Sequence, residues 1–102
     1  GKFDNAENNL IIEINTKKNK VIKEKNIKNE IAKYEISLSS KIKIDFLEKN
    51  KQEEFSVKST GNYAVSDRYS TTLKNEKRLL ENLTNDISNK IQGEINLIIN
   101  DL

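Results

Sequence analysis

The sequence predicts an α+β fold in which a three-stranded antiparallel meander sheet is covered on one face by a long C-terminal helix. Two patterns of apolar residues support this prediction. Apolar and polar residues alternate over positions 32–46 and again over 55–65, which is typical of strands buried on one side. From about position 71 the apolar residues recur at steps of three, four or seven, which indicates one face of an α-helix.

The stretch from Ala32 to Phe46 is the predicted central strand. Its even positions are apolar except for Ser40, and its odd positions are polar or charged. At about 3.3 Å per residue this strand would span roughly 50 Å. A strand of this length with one apolar face requires neighbouring strands and a cover over that face.

The first strand is predicted within residues 10–23, after a polar N-terminal segment at 1–9 that we expect to be frayed. The alternation of apolar and polar residues is clear at the start, weakens over 16–20, and then returns. One long strand would fit this pattern, and so would two short strands on either side of a turn at 17–19. We favour the single strand because its length matches that of the central strand.

The third strand is predicted at 55–65, so that the sheet as a whole covers 10–65. A charged hairpin tip precedes this strand, and we place a two-residue turn at Asn50 and Lys51. This turn would pair Phe46 with Phe55 and keep both side chains on the buried face.

The C-terminal helix is predicted over 71–101, with Thr71 or Thr72 as its N-cap. Its length of roughly 45 Å matches that of the central strand, which predicts that the helix lies lengthwise on the sheet. A membrane-surface or coiled-coil helix is the alternative, but the strands that precede this helix favour sheet cover. The apolar stripe comprises Leu73, Leu80, Leu83, Ile87, Ile91, Ile95, Ile98 and Leu102.

The composition excludes several kinds of chemistry. The chain has 102 residues, which suggests a single domain, and it contains neither Cys nor His. Disulfides, Cys/His zinc sites and His-based catalysis are therefore excluded. The net charge of only +2 lacks the basic stripe expected of a nucleic-acid-binding protein. We expect no cofactor, no metal, no enzymatic activity and no nucleic-acid partner.

Three lysines on the outer, polar face of the predicted sheet form a candidate site. Lys41 and Lys43 lie on the central strand and Lys58 on the third strand. In the predicted register Lys43 stands directly opposite Lys58, which is unfavourable for like charges. A shared anion such as a phosphate group would relieve this repulsion, and so would lysine side chains that splay into water beside neighbouring carboxylates.

A series of residues near the C-terminus carries a family resemblance. These residues are Asn62–Val65, Asp67–Ser70, Glu76, and the isoleucines Ile87, Ile91 and Ile95. In this order and spacing they resemble the strand end and long helix of the alphaproteobacterial lipopolysaccharide-assembly lipoprotein family LptE. The hairpin at 36–59 is similar to the penultimate hairpin of that family, so the resemblance covers roughly residues 32–102.

Two departures from the family pattern accompany this resemblance. The family begins with a lipidated cysteine, a first strand and a first helix, and the sequence contains no counterpart of these. Ser70 stands where the family has an alanine after the tyrosine of its motif. The resemblance would therefore describe a shortened relative or a truncated one.

The resemblance implies a non-enzymatic lipoprotein on the periplasmic face of the outer membrane, held by an N-terminal lipid anchor that is absent from this chain. It implies that the protein plugs a β-barrel partner similar to LptD and helps deliver lipopolysaccharide to the cell surface. Arg68 and Tyr69, in the loop that matches the family motif, are expected to contact the barrel or the lipid together with the three lysines. A generic periplasmic interaction module, or an auxiliary lipoprotein of a transporter, is the alternative function.

Overall fold

The computed structural model describes residues 2–5 and 9–101, which form one antiparallel sheet and one long helix. The predicted α+β class, an antiparallel meander followed by a C-terminal helix, is confirmed. The elements are β1 (Lys2–Asn5), β2 (Leu10–Lys25), β3 (Ile31–Phe46), a 3₁₀ turn (Leu47–Lys49), β4 (Lys51–Ala64) and α1 (Tyr69–Asn100). The strands lie side by side in the order β1-β2-β3-β4.

The sheet has one more strand than the sequence predicts. Strand β1 pairs with the first residues of β2, from Leu10 to Glu13, although we expected this segment to be frayed. Four residues are too few to show an alternating pattern, and the pairing depends on backbone hydrogen bonds that any sequence except proline can make. The remainder of the segment expected to be frayed, Gly1 and 6–8, lies outside the described residues.

Strand β2 is one continuous strand of 16 residues, which confirms the single-strand interpretation. It pairs with β3 along its whole length, and the pairing is irregular only beyond Ile22, where the register shifts before Glu24. The weak alternation in the middle of β2 therefore does not mark a turn. It reflects which of its side chains are covered by other parts of the protein.

The buried face of β3 forms the centre of the core. Ile36 and Ile42 are completely inaccessible to solvent, and the other even positions from 38 to 46 are also buried. Ser40, the polar exception, lies within hydrogen-bond distance of the Thr16 hydroxyl, with 2.7 Å between the two oxygens. This bond satisfies a hydroxyl that would otherwise be costly to bury. The even face of β3 is therefore buried from Ile36 to Phe46 as predicted, whereas Ala32 and Tyr34 are only partly buried.

The hairpin between β3 and β4 has a different register from the predicted one. Phe46 pairs with Lys51, and Ile42 pairs with Phe55. The connection consists of a 3₁₀ turn followed by Asn50 in the left-handed conformation, with φ 47°. A longer loop thus replaces the two-residue turn and shifts the pairing by four residues. Because the shift is even, every side chain keeps its predicted face.

Helix α1 packs against β4 and β3 and runs lengthwise along them. It begins at Tyr69, so the predicted N-cap at Thr71 or Thr72 is wrong. The Thr72 hydroxyl instead accepts a hydrogen bond from the backbone N–H of Ser66, which fixes the loop that leads into the helix. Leu102, the last residue of the predicted stripe, lies outside the described residues.

Gly61 lies where a side chain of the helix approaches the sheet closely. A Cβ at this position would come within 2.6 Å of the Leu79 Cδ1 atom. The pairing of β4 with β3 continues without a register shift past Gly61, so this glycine does not mark a bulge. Leu79 therefore sits over the strand in space that only a glycine leaves free.

Candidate anion-binding face

The sheet face opposite the helix, which we call the open face, carries all three predicted lysines. Lys41 and Lys43 project from β3, and Lys58 projects from β4. Lys58 pairs with Ser39, whereas Lys43 pairs with Glu54. The expected opposition of Lys43 and Lys58 is therefore wrong, because it depended on the shorter hairpin turn.

Acidic neighbours surround two of these lysines. Lys43 stands between Glu13 of β2 and Glu54 of β4 in one row across the sheet. The Lys41 Nζ atom is 2.8 Å from a carboxylate oxygen of Glu54. This hydrogen bond raises the pKa of Lys41 and lowers the pKa of Glu54. Both lysines are thus partly neutralised within the sheet.

Lys17, Ser39 and Lys58 form another row across the open face, on β2, β3 and β4, and no carboxylate stands in this row. Ser39 pairs with Lys17 on one side and with Lys58 on the other. Two strand spacings separate the lysine Cα atoms, a distance of about 10 Å that both side chains can span toward a ligand above Ser39. Neither lysine forms an ion pair with another residue within 9–101.

A shallow hollow of about 470 Å³ opens around Ser39, and we call it the Ser39 hollow. Serine side chains at 39 and 56 are too short to fill the space between the longer residues around them. The lining residues are Asn15, Thr16, Lys17, Ser39, Ser40, Lys41 and Ser56. Ammonium groups beside hydroxyl and amide donors are suited to binding an anion such as a phosphate group.

Lys58 is held in place from the opposite side of the sheet. Its backbone carbonyl accepts a hydrogen bond from the Lys90 Nζ atom of α1, with a distance of 2.8 Å. Lys90 also pairs with Asp86, which in turn accepts a hydrogen bond of 2.6 Å from the buried Ser59 hydroxyl. The bond from Ser59, supported by Lys90, lowers the pKa of Asp86. This network fixes the strand that presents Lys58.

Arg68 and Tyr69 lie far from the Ser39 hollow. They precede and begin α1 at the end of the sheet where Lys33 of β3 pairs with Ala64. Lys41 is roughly 26 Å further along β3. Tyr69 is 76% exposed, so its ring is available for contact with a partner. The structure therefore does not bring these two residues together with the lysines.

A second charged cluster, on the helix side of the sheet, connects β2 to α1. The Lys20 Nζ atom and the Tyr63 hydroxyl both donate hydrogen bonds of 2.8 Å to the same carboxylate oxygen of Glu76. The Tyr34 and Tyr63 rings stack with their centroids 5.6 Å apart, and Lys20 lies 4.4 Å from the centroid of Tyr34. This cluster was not predicted from the sequence, although Lys20 occupies an even position of β2, where an apolar residue would be expected.

The cluster predicts a contribution of Glu76 to the pH dependence of stability. Hydrogen bonds from Lys20, and secondly from Tyr63, lower the pKa of Glu76 below its ordinary 4.5. The carboxylate therefore stabilises the fold above pH 4.5, and this contribution is lost as the pH falls through the lowered pKa. We expect Glu76→Gln to cost about 1–2 kcal/mol at neutral pH and to give a shallower decline in acid.

Urea unfolding of both proteins across the acid range measures this difference. The variant should retain some decline, because the pKa values of Asp86 and Glu54 are also lowered. Parallel stability curves for the two proteins would contradict a role for Glu76.

Within the described residues, acidic side chains form no group of three or more that could hold a metal ion. Helix α1 is not apolar enough to cross a membrane, and no other helix in 9–101 is long enough.

Comparisons with protein-family models, curated proteins and solved structures find no match.

Proposed function

We propose that this protein is a non-enzymatic lipopolysaccharide-assembly subunit at the periplasmic face of the outer membrane. It lies as a plug inside a β-barrel partner similar to LptD and helps deliver lipopolysaccharide to the cell surface. An N-terminal lipid anchor, outside this chain, would hold it to the membrane. The observation that carries the proposal is a narrow rod whose open face presents Lys17 and Lys58 beside the Ser39 hollow, with no ion pair to either lysine from residues 9–101.

The shape of the protein suits the interior of a wide barrel. Its Cα atoms extend over 60 × 20 × 19 Å, with the strands and the helix running along the long axis. Membrane barrels have polar interiors, and the widest of them enclose a plug. An open face of mixed charges, with 18 basic and 16 acidic residues in the whole chain, matches such a lining.

The Ser39 hollow supplies the chemistry for the lipid. Lipopolysaccharide carries phosphate groups, and lysine ammonium groups bind phosphate as point charges. Lys17 and Lys58 would approach a phosphate from opposite sides, with Lys41 nearby and the Ser39 hydroxyl beneath it. Arg68 and Tyr69, at the end of the rod, are assigned to contact with the barrel.

Charge reversal at the hollow tests the binding step. The double variant Lys17→Glu and Lys58→Glu should weaken binding to purified lipopolysaccharide by about tenfold or more, since each altered charge faces the phosphate. The control is Lys74→Glu with Lys77→Glu, on exposed positions of α1, which changes the net charge equally. Equal weakening by both pairs would indicate general electrostatics and refute a site at the hollow.

Recovery of a partner tests the assembly role with the same proteins. Affinity purification of the tagged protein from native membranes should recover a large outer-membrane barrel, in both the parent and the hollow variant. Failure to recover a barrel would refute the plug function, even if lipopolysaccharide binding were confirmed. The two experiments therefore separate the lipid site from the assembly role.

A further inference from the structure

We propose that the turn between β2 and β3 docks on an anionic lipid surface. Ile27, at the apex of this turn, would insert among the lipid chains while Lys25 and Lys28 contact the headgroups. This docking would require neither lipopolysaccharide nor a barrel, and it would take place at the end of the rod farthest from the β3–β4 hairpin. Three features of the turn favour it: the exposure of Ile27, the rigidity of the turn and the charges around it.

Ile27 is the most exposed of the large apolar side chains in 9–101, with a relative accessibility of 105%. Strand β4 ends opposite Lys33, so the turn at 26–29 projects beyond it at the end of the sheet. No other part of the described structure shields this side chain. Removal of an isoleucine from water is favourable, and a lipid surface would provide the apolar environment.

Hydrogen bonds hold the turn in one shape. The Asn26 side-chain oxygen accepts bonds from the backbone N–H groups of Lys28 and Glu30, at 2.9 and 3.0 Å. The Asn26 backbone N–H donates to the Glu30 carbonyl at 2.8 Å, and Asn29 takes the left-handed conformation with φ 65°. Because the turn is already ordered, presenting Ile27 to a membrane requires little further loss of conformational entropy.

The charges beside Ile27 favour an anionic surface. Lys25 and Lys28 flank it, and neither forms an ion pair with another described residue. The acidic groups of the turn have local partners: Glu24 lies 3.7 Å from Lys33, and Glu30 lies 3.4 Å from the Asn26 amide. Each lysine near an anionic bilayer adds to the attraction, and the effect is screened by salt.

The opposite hairpin provides an internal comparison. It also exposes an apolar residue, Leu47, which is 57% accessible. Glu48 follows Leu47 directly, Lys49 and Lys51 come next, and Glu53 and Glu54 are the third and fourth residues of β4. The turn at 26–29 therefore combines a fully exposed apolar apex with two lysines, whereas the β3–β4 hairpin mixes carboxylates and lysines around a less exposed leucine.

Other exposed apolar residues lie in the same half of the rod as Ile27. Val21, Ile22 and Leu73 are each nearly half exposed, and Tyr69 is 76% exposed. Tyrosine is favoured at membrane interfaces, where its ring is buried and its hydroxyl stays wet. Apolar exposure is therefore concentrated toward the end of the rod that carries Ile27.

Vesicle co-sedimentation tests the proposal. The protein should bind vesicles of phosphatidylcholine with phosphatidylglycerol more tightly than vesicles of phosphatidylcholine alone, and high salt should reduce the difference. Ile27→Asp should weaken binding by about tenfold or more, from the lost apolar insertion. Leu47→Asp is the matched control and should leave binding unchanged.

Two further measurements make the outcome decisive. Circular dichroism should show that both variants are folded, and Ile27→Trp should strengthen binding because tryptophan inserts at the interface. No binding by the parent protein, or equal losses from Ile27→Asp and Leu47→Asp, would overturn the proposal. These vesicles contain no lipopolysaccharide, so neither result depends on the assembly function.

Discussion

Replacement of Ile42 by Ala is expected to lower the free energy of unfolding by about 2–5 kcal/mol. Ile42 has no solvent exposure and lies on the central strand between Ile14 of β2 and Phe55 of β4. Its side chain belongs to the core cluster beneath α1. Strands on both sides are fixed by backbone hydrogen bonds, so the cavity left by the truncation cannot close. Urea unfolding followed by circular dichroism measures the change.

The matched control for this variant is Ile22→Ala. It removes the same atoms from a neighbouring strand, but the Ile22 side chain is 48% exposed. We expect a loss below about 1 kcal/mol at this position. Similar losses at both positions would show that the buried face of β3 does not dominate stability.

The burial of β3 could be predicted because it depends only on local alternation. Side chains at even positions point to one face whatever the neighbouring strands are. The same reasoning predicted the apolar stripe of α1, in which Leu83 and Ile87 are buried, although Leu73 at its start is 47% exposed. Both patterns repeat many times within one element, so no single residue decides the result.

Strand register could not be predicted, because it depends on the conformation of one short turn. Asn50 and Lys51 suggested a two-residue connection, but the chain forms a 3₁₀ turn before Asn50 instead. The longer connection left every side chain of the hairpin on its predicted face, but it changed which residues of β3 and β4 pair with each other. The row that joins Lys17, Ser39 and Lys58 depends on two registers together, so the candidate site is visible only in the structure.

The middle of β2 shows how tertiary position overrides a local pattern. Lys18 and Lys20 occupy the helix-side face, where alternation would require apolar residues. Because α1 packs mainly over β3 and β4, this part of the face remains open to water. Lys20 reaches from there to Glu76 on the helix. The weak pattern therefore reflects the incomplete cover of the sheet.

Replacement of Tyr63 by Ala is expected to cost about 3–5 kcal/mol, the largest effect of any single change on the helix-side cluster. Tyr63 is only 6% exposed, and its ring stacks on Tyr34. The substitution removes this packing and also the hydroxyl that donates to Glu76. Burial raises the pKa of Tyr63, so the group stays protonated as a donor at neutral pH. Equilibrium unfolding in urea at neutral pH measures the loss.

Tyr63→Phe separates the ring from the hydroxyl. This variant keeps the stack on Tyr34 and loses only one of the two hydrogen bonds to Glu76, so we expect a cost of about 1 kcal/mol. Lys20 would still pair with Glu76 at its 2.8 Å distance. A cost for Tyr63→Phe close to that of Tyr63→Ala would mean that the hydrogen bond to Glu76, rather than ring packing, accounts for the stability that Tyr63 contributes between β4 and α1. The expected ratio instead assigns most of this stability to the buried ring, while the Lys20–Glu76 pair links β2 to α1 in both variants.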